Sequence, residues 1–556
     1  MGRRGALLLA VAVLYGLSIP WYRGADASPG LWLGVPGWVA LATACYVAAA
    51  VLNALAWLAT DLEGGDPPED GFAELGLVAL AGYLLLIAAV SEAARRARRD
   101  RSPSDHFLAS RELGVWVLFL TLYATAYSGN SLLGYPGEAY RRGFSWIMAT
   151  GFMLAIAVVF HALVPRLRPL AAAEGFVTPG DWIRHRFGGE PGARALALGV
   201  ALLMALALAN FLFAQLKAMG EMASAVTGGA LPYAWGVLSM AAVVLLYETL
   251  GGMRAVAWTD AVQGVLMMVG LGALAAWLVS VGGGLGSLTE SVAAARPQAV
   301  AVPDARECAN WASSIALMGL ASVVYPQAIQ RIYAARSGRV LRRSLALMSF
   351  MPLTTTLVVT WVGLAAIPRL SGLDAVAADR VMPLLLGEWA ATGPLAAAGA
   401  VGVFVGALAA IMSTADSVLL SLGSLLAGDL FGGSRSDERT TQIGKRTAVA
   451  VMVGAAALAV AAREITLWGL IELKMELLVQ CVPAFLLAIH WPGFRALPGL
   501  AGLVAGSAVA VAGLALETGR LGGVHAGVIG LALNTAVAAA GSLLWPGPPA
   551  ARVRRA

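Results

Sequence analysis

The chain has 556 residues, 59% hydrophobic and only 13% charged, where a soluble protein of this length carries about a quarter charged residues. Apolar stretches of about 20 residues recur from end to end, each long enough to cross a bilayer, which excludes a water-soluble enzyme. The net charge of +6 fits basic cytoplasmic loops rather than a nucleic-acid footprint, because no basic stripe interleaved with aromatics accompanies it.

In chain order, apolar spans are predicted at residues 5–20, 37–60, 73–93, 113–134, 143–164, 194–224, 232–250 and 256–281. They continue at 308–330, 344–368, 396–427, 444–462, 467–490, 497–516 and 526–545, making about 15 in an all-α polytopic membrane protein. The first two spans form a segment at 1–62, and the acidic, Pro-rich linker 63–72 separates it from a main domain at 73–556. A cleaved signal peptide ending near Ala25-Asp26-Ala27 is the rival reading of the start. Five arginine-rich stretches (92–111, 165–187, 331–343, 432–446 and 551–556) fall on one side by span count. That side is expected to be the cytoplasm, with the C-terminus there and the protein in the cell (inner) membrane. The start "MGRR" fits this parity less well. Cys45, Cys308 and Cys481 are far apart, and the five histidines are scattered, so no metal or disulfide framework is expected.

Two irregular stretches stand out. "ATAYSGNSLLGYPG" (124–137) and "SVVYPQAIQR" (322–331) interrupt apolar runs with Gly, Pro and polar side chains. Pro removes a backbone donor and clashes with the preceding turn. Broken backbone at membrane depth is tolerated where it lines a cavity, and transporters use such breaks to offer carbonyls and half-helix ends to ions and solutes. A third stretch, "IMSTADSVLLSLGS" (411–424), crowds polar groups into an apolar segment. Ala410, Ser413, Thr414 and Ser417 follow helical spacing and share one face, with Asp416 at its edge. Hydroxyls alone serve helix packing equally well. An intramembrane carboxylate is costly, however, and a group of oxygens suits a hard cation, so the face reads as a cation site.

Four segments in order resemble the sodium:solute symporter family, relatives of the sodium/proline, sodium/pantothenate and sodium/glucose transporters. They are 105–140, "YETLGGMRAVAWTDAVQGVLMMVG" (247–270), "YPQAIQRIYAARS" (325–337) and "AAIMSTADSVLLSLGSLLAGDLF" (409–431). The resemblance implies a LeuT-type five-helix inverted repeat with extra N- and C-terminal helices, working by alternating access, with no enzyme activity and no cofactor. Carried over by position, one sodium would be held by the carbonyls of Ala124, Tyr127 and Ala410 and the hydroxyls of Ser413 and Thr414. In some members a second cation lies beside the first, and the matching positions are Asp260, Ser413, Asp416 and Ser417. Asp416 departs from the hydroxyl of that subgroup, so a proton is the alternative coupling ion. The acid that proline transporters carry in the first broken helix is Ala126 here.

The solute should lie at mid-membrane between the breaks and the tenth core helix. Asn130, Ser131, Tyr325 and Gln327 flank the breaks, and Gln215 faces the same path. Lys474 stands in the tenth core helix between Glu472 and Glu476, either as part of a charged outer end or facing a charged solute. Lys217 and Glu221 are four residues apart and are expected to neutralise each other. Asp260 has a structural alternative as a helix N-cap. Residues 14–70 resemble small two-span accessory proteins of pantothenate and monocarboxylate symporters. The expected function is therefore sodium-coupled symport of a small carboxylate such as a monocarboxylate, pantothenate or an amino acid. Proton coupling and a passive channel are the alternatives, and a sensor has no room for a signalling module.

Overall fold

The computed structural model describes residues 103–226, 231–281, 283–432, 438–516 and 519–544, with 13–19 and scattered positions between 31 and 90. Those residues are overwhelmingly helical. The elements used below are α1 (Val115–Ala126), α2 (Tyr135–Arg142), α3 (Met148–Glu174), α4 (Ala193–Val226) and α5 (Tyr233–Val281). They continue with α6 (Ala305–Val323), α7 (Pro326–Ala334), α8 (Gly338–Met348), α9 (Leu357–Ala366) and α10 (Pro394–Leu425). The last are α11 (Glu438–Ala461), α12 (Leu467–Leu478), α13 (Ala496–Ala515) and α14 (Ala526–Leu544).

Among the described residues, eight helices are long and apolar enough to cross a membrane, or nine if the bent pair α6–α7 counts as one span. This is fewer than the predicted spans. The first three predicted spans lie mostly outside the described residues. Polar breaks cut others into short halves: 113–134 divides into α1 and a π turn at Asn130–Gly134, and 467–490 passes from α12 into a π turn at Pro483–Leu487. The predicted spans 232–250 and 256–281 run together in α5, of which Met253–Ser280 counts as long and apolar enough to cross and Tyr233–Leu245 as a shorter apolar helix.

Helix α10 lies at the centre, packed against α4, α5 and α11, and α1 fits between α5 and α10. Small residues permit this closeness. A Cβ at Gly406 would stand 2.8 Å from the Leu266 carbonyl oxygen, and one at Gly270 would stand 3.0 Å from Val403 Cα. Helix α12 is clamped between α4 and α6, and α13 and α14 form an antiparallel hairpin beside it. Of the predicted N-terminal spans, Tyr83 reaches the core, where its hydroxyl accepts a hydrogen bond of 2.7 Å from the Gln263 side chain.

The cytoplasmic reading of 331–343 needs one correction. Arg336, Arg339, Arg342 and Arg343 are exposed, as loop arginines are, but Arg331 is fully buried inside α7. A residue counted as part of a loop belongs to the core.

Candidate functional site

Both predicted breaks are real interruptions of helix. Helix α1 ends at Ala126, and Tyr127 turns to extended dihedrals (φ −104°, ψ 99°) before helical structure resumes. The second break bends the chain by 50° between α6 and α7, with Tyr325 extended (φ −60°, ψ 124°) ahead of Pro326. An X–Pro pair favours that extended conformation at the residue before proline.

Gln215 holds the first break. Its side-chain oxygen accepts a hydrogen bond of 2.8 Å from the Gly129 amide, and its amide group donates to Asn130 Oδ1 at 3.4 Å and to the Phe211 carbonyl at 3.3 Å. A Cβ at Gly129 would lie 2.6 Å from Ala218 Cβ, so only glycine lets α4 approach the broken strand. Gln215 therefore supports the break, and it is not among the residues that line the cavity described next.

The breaks line one cavity together with α3, α4, α8 and α12. Asn130, Ser131, Tyr325, Gln327 and Lys474, all named from the sequence, stand in its wall. The opposing wall is apolar, with Met153, Ile156, Ala157 and Phe160 from α3. Three polar atoms here have no hydrogen-bond partner among the described residues: Asn130 Nδ2, the Tyr325 hydroxyl and Gln327 Oε1. Lys474 is 2% exposed. Its ammonium lies 3.0 Å from the centroid of the Phe211 ring and 5.5 Å from that of Tyr325. Among the described residues no carboxylate pairs with it. The two acids beside it in sequence turn elsewhere, Glu472 to Arg520 and Glu476 to His525. The charged outer end is thus divided: its acids tie α12 to the turn before α14, while its lysine faces the cavity.

Beside the cavity, Tyr135, Trp146, Phe152 and Trp468 pack as an aromatic cluster, with the two tryptophan rings edge to face at 4.7 Å. Lys217 and Glu221 do not neutralise each other. Lys217 pairs with Asp379 at 3.4 Å, and Glu221 pairs with Arg463 at 2.7 Å. Both partners, Asp379 and Arg463, reach α4 from other elements, so the spacing along one helix did not identify them.

The predicted cation face of α10 is buried, with Ser413, Thr414, Asp416 and Ser417 all inaccessible to solvent. The Thr414 hydroxyl lies 3.3 Å from the Ala124 carbonyl oxygen on α1 and 3.1 Å from that of Ala410 one turn back. Three of the five expected sodium oxygens therefore meet where α1 and α10 touch. Tyr127 ends α1 at the same break, and its dihedrals turn its carbonyl off the helix axis. The Ser413 hydroxyl donates to Asp260 Oδ1 at 2.5 Å.

Asp260 is no N-cap, since it lies in the interior of α5. Its Oδ2 accepts from the Thr121 hydroxyl and from Arg331 Nη2 at 2.9 Å. Arg331 Nη2 also donates to Ser417 at 2.5 Å, and Ser417 lies 3.3 Å from Asp416 Oδ1. The structure thus brings Asp260, Ser413, Asp416 and Ser417 together, but with a guanidinium among them. Arg331 and Thr121 are the site residues that the sequence reading missed. The available signal was the position of Arg331 five residues past Pro326 and between Ile329 and Ile332, inside a half-helix rather than in a loop.

The sequence model of the sodium:solute symporter family matches residues 106–506. The sodium/pantothenate symporter of Escherichia coli is 26% identical over 449 residues, covering 77% of this chain and 88% of its own length. The high-affinity proline transporter PutP of Bacillus subtilis is 27% identical over 427 residues, covering 74% and 87%. A solved Na+-coupled sialic acid symporter in its substrate-bound outward-open state superposes with a TM-score of 0.67 at 18% identity, over 86% of this chain and 98% of its own. The LeuT-type fold expected from the sequence is therefore the fold observed.

Proposed function

Since the chain belongs to the sodium:solute symporter family, we propose that it carries a small organic carboxylate across the cell membrane with sodium as the coupling ion. The observation that carries the solute class is Lys474, a buried amine in the cavity whose contacts are ring faces rather than a carboxylate. A buried charge without an ionic partner is expensive, and a solute carboxylate would supply that partner. Asn130, Ser131, Tyr325 and Gln327 offer hydrogen bonds to the rest of the solute, and the α3 wall takes its apolar part. Pantothenate and proline, the solutes in the names of two relatives, both carry a carboxylate.

In this reading sodium binds the carbonyls of Ala124, Tyr127 and Ala410 and the hydroxyls of Ser413 and Thr414, an all-oxygen set suited to a hard cation. The site bridges α1 and α10, so ion binding favours the conformation in which these helices touch. The α1 break also walls the cavity, and solute and sodium therefore stabilise the same arrangement. Alternating access then requires the aromatic cluster at Tyr135 and Trp468 to part and reseal. The exposed arginines of α8 support a cytoplasmic side for the basic loops, and with it a cytoplasmic C-terminus.

The experiment is uptake into proteoliposomes of labelled monocarboxylates, pantothenate and amino acids, each against its amide or ester, with and without an inward sodium gradient. Accumulation of an acid, but not its amide, under the sodium gradient supports the proposal. Equal uptake of acid and amide refutes the carboxylate assignment. Accumulation driven only by a pH gradient would mean proton coupling, and equilibration without accumulation would mean a channel.

A further inference from the structure

Gln215 stands on α4, fully buried, with both ends of its side-chain amide in use. A main-chain N–H can only donate, so the Gln215 atom 2.8 Å from the Gly129 nitrogen is its oxygen. The opposite end is then the NH2 group, which needs acceptors and finds the Phe211 carbonyl at 3.3 Å and Asn130 at 3.4 Å. The Asn130 atom in that contact must be its oxygen. The NH2 group of Asn130 is thereby turned away from Gln215. It has no partner among the described residues, although Asn130 is only 1% exposed and stands in the cavity wall. One backbone hydrogen thus fixes the orientation of two side-chain amides in series.

The two ends of this series lie at different places. Gly129 follows Tyr127 by two residues, and a Cβ on it would stand 3.0 Å from Ile411 Cγ1, the neighbour of Ala410 in α10. Tyr127 and Ala410 both belong to the proposed sodium ligands. Asn130 and Phe211 belong to the cavity, where the Phe211 ring faces the Lys474 ammonium. Without Gln215 the Gly129 amide would lose its acceptor, and a buried amide left unpaired is costly. The break would shift to recover a partner, and sodium would have to fix the Tyr127 carbonyl unaided.

Resting on the sodium site and the solute cavity proposed above, we propose that Gln215 is the positioning residue that joins them. Its oxygen holds the break so that the Tyr127 carbonyl faces sodium. Its NH2 group turns Asn130 so that this residue donates to an acceptor oxygen of the solute. A solute that put an apolar carbon there would leave the Asn130 donor unpaired, so Gln215 sets specificity at the cavity as well as affinity at the ion site.

The test pairs equilibrium binding of 22Na+ to the purified full-length protein, which uses no solute, with sodium-driven uptake of the labelled acids described above. Gln215→Leu should bind 22Na+ about tenfold more weakly or worse. Asn130→Ala leaves the Gly129 bond in place and should bind 22Na+ within about twofold of wild type. Both variants should raise the KM for the acid at saturating sodium, and the double variant should be no worse than Gln215→Leu, because Gln215 reaches the solute through Asn130. A glutamine that merely supported the fold would give additive losses. Native 22Na+ affinity in Gln215→Leu with native elution on gel filtration overturns the proposal, as do additive effects on KM. Should Gln215→Leu fail to fold, Gln215→Met keeps the length without the amide and takes its place. A tenfold loss of 22Na+ affinity in Asn130→Ala overturns the division of roles with either variant. Thr414→Ala separates this proposal from the reading beneath it: unchanged 22Na+ binding there sinks the sodium site itself, while weakened binding there with native binding in Gln215→Leu sinks only the role of Gln215. If no acid is accumulated, the carboxylate reading falls and the 22Na+ comparison decides alone.

Discussion

Lys474→Met is expected to weaken solute transport while leaving the solute-free protein as stable as before or more so. Methionine keeps most of the length of the lysine stem and its packing against Phe211 and Tyr325, and removes only the charge. In the empty protein the ammonium gains about 2 kcal/mol from a desolvated ring face but loses several kcal/mol of hydration. With no carboxylate partner among the described residues, the balance for the empty protein favours the neutral side chain. For the solute the sign reverses. Losing one member of a buried charge pair costs about 2–5 kcal/mol, and about 3 kcal/mol corresponds to a rise of roughly 150-fold in KM. The assay is sodium-driven uptake of the acid that wild type accumulates, alongside thermal unfolding of both proteins in detergent without solute. Opposite movements of affinity and stability identify a solute-binding lysine. An unchanged KM, or a fall in solute-free Tm that accounts for the lost uptake, would refute the reasoning.

Ser413→Ala combined with Thr414→Ala should raise the sodium concentration for half-maximal uptake at least about tenfold, and an unchanged sodium dependence in folded protein removes the site. Gly129→Ala should cut uptake more than about tenfold, because its Cβ would stand 2.6 Å from Ala218 Cβ in a packed interface; Ala218→Gly in the same chain should restore part of the loss, and no rescue would count against the steric account. Asp379, in the turn before residues 381–390, is pushed up to about 6 by burial, against the pull of Lys217. A raised carboxylate favours the folded state at low pH and loses that contribution as pH rises from about 4 to about 6; Tm should fall over that window, and Asp379→Asn should flatten the slope. His525, before α14, is lowered to about 4 by burial, so its contribution runs the other way, appearing as pH rises from about 4 to about 6.5. His525→Asn should therefore steepen the decline caused by Asp379, as thermal unfolding at several pH values would show.

Much of the fold, and the meeting of the polar face of α10 with the first break, was legible because both depend on local pattern. Helical spacing set Ser413 and Thr414 on one face, and the Gly and Pro cluster at 124–137 marked the break that supplies their carbonyl partner. What the sequence hid was pairing across distant segments. Lys217 chose Asp379 over Glu221 because the low-polarity interior rewards any partner that geometry brings within reach, whatever the separation in sequence. Gln215 read as a solute residue because nothing in its neighbourhood shows that Gly129, 86 positions earlier in the chain, leaves an amide to be satisfied. Arg331 was counted with the loop arginines that follow it. Its burial depends on Asp260, 71 residues away, and a charge count along the chain cannot register that.

The polar residues of the oily α10 segment thus divide: in the proposed reading Thr414 and Ala410 face the sodium, while Ser417 accepts from the Arg331 guanidinium and Ser413 gives its hydrogen to Asp260. The coupling ratio has an electrical consequence. If each cycle moves one sodium, the net charge of the solute decides whether the membrane potential does work on it. A monoanion carried with one sodium transfers no net charge. A zwitterion such as an amino acid carries its own ammonium, so with one sodium it moves one positive charge, worth about 2.3 kcal/mol per 100 mV. In the proposed reading Lys474 meets the carboxylate of either, so the potential dependence of sodium-driven uptake tells a monoanion from a zwitterion.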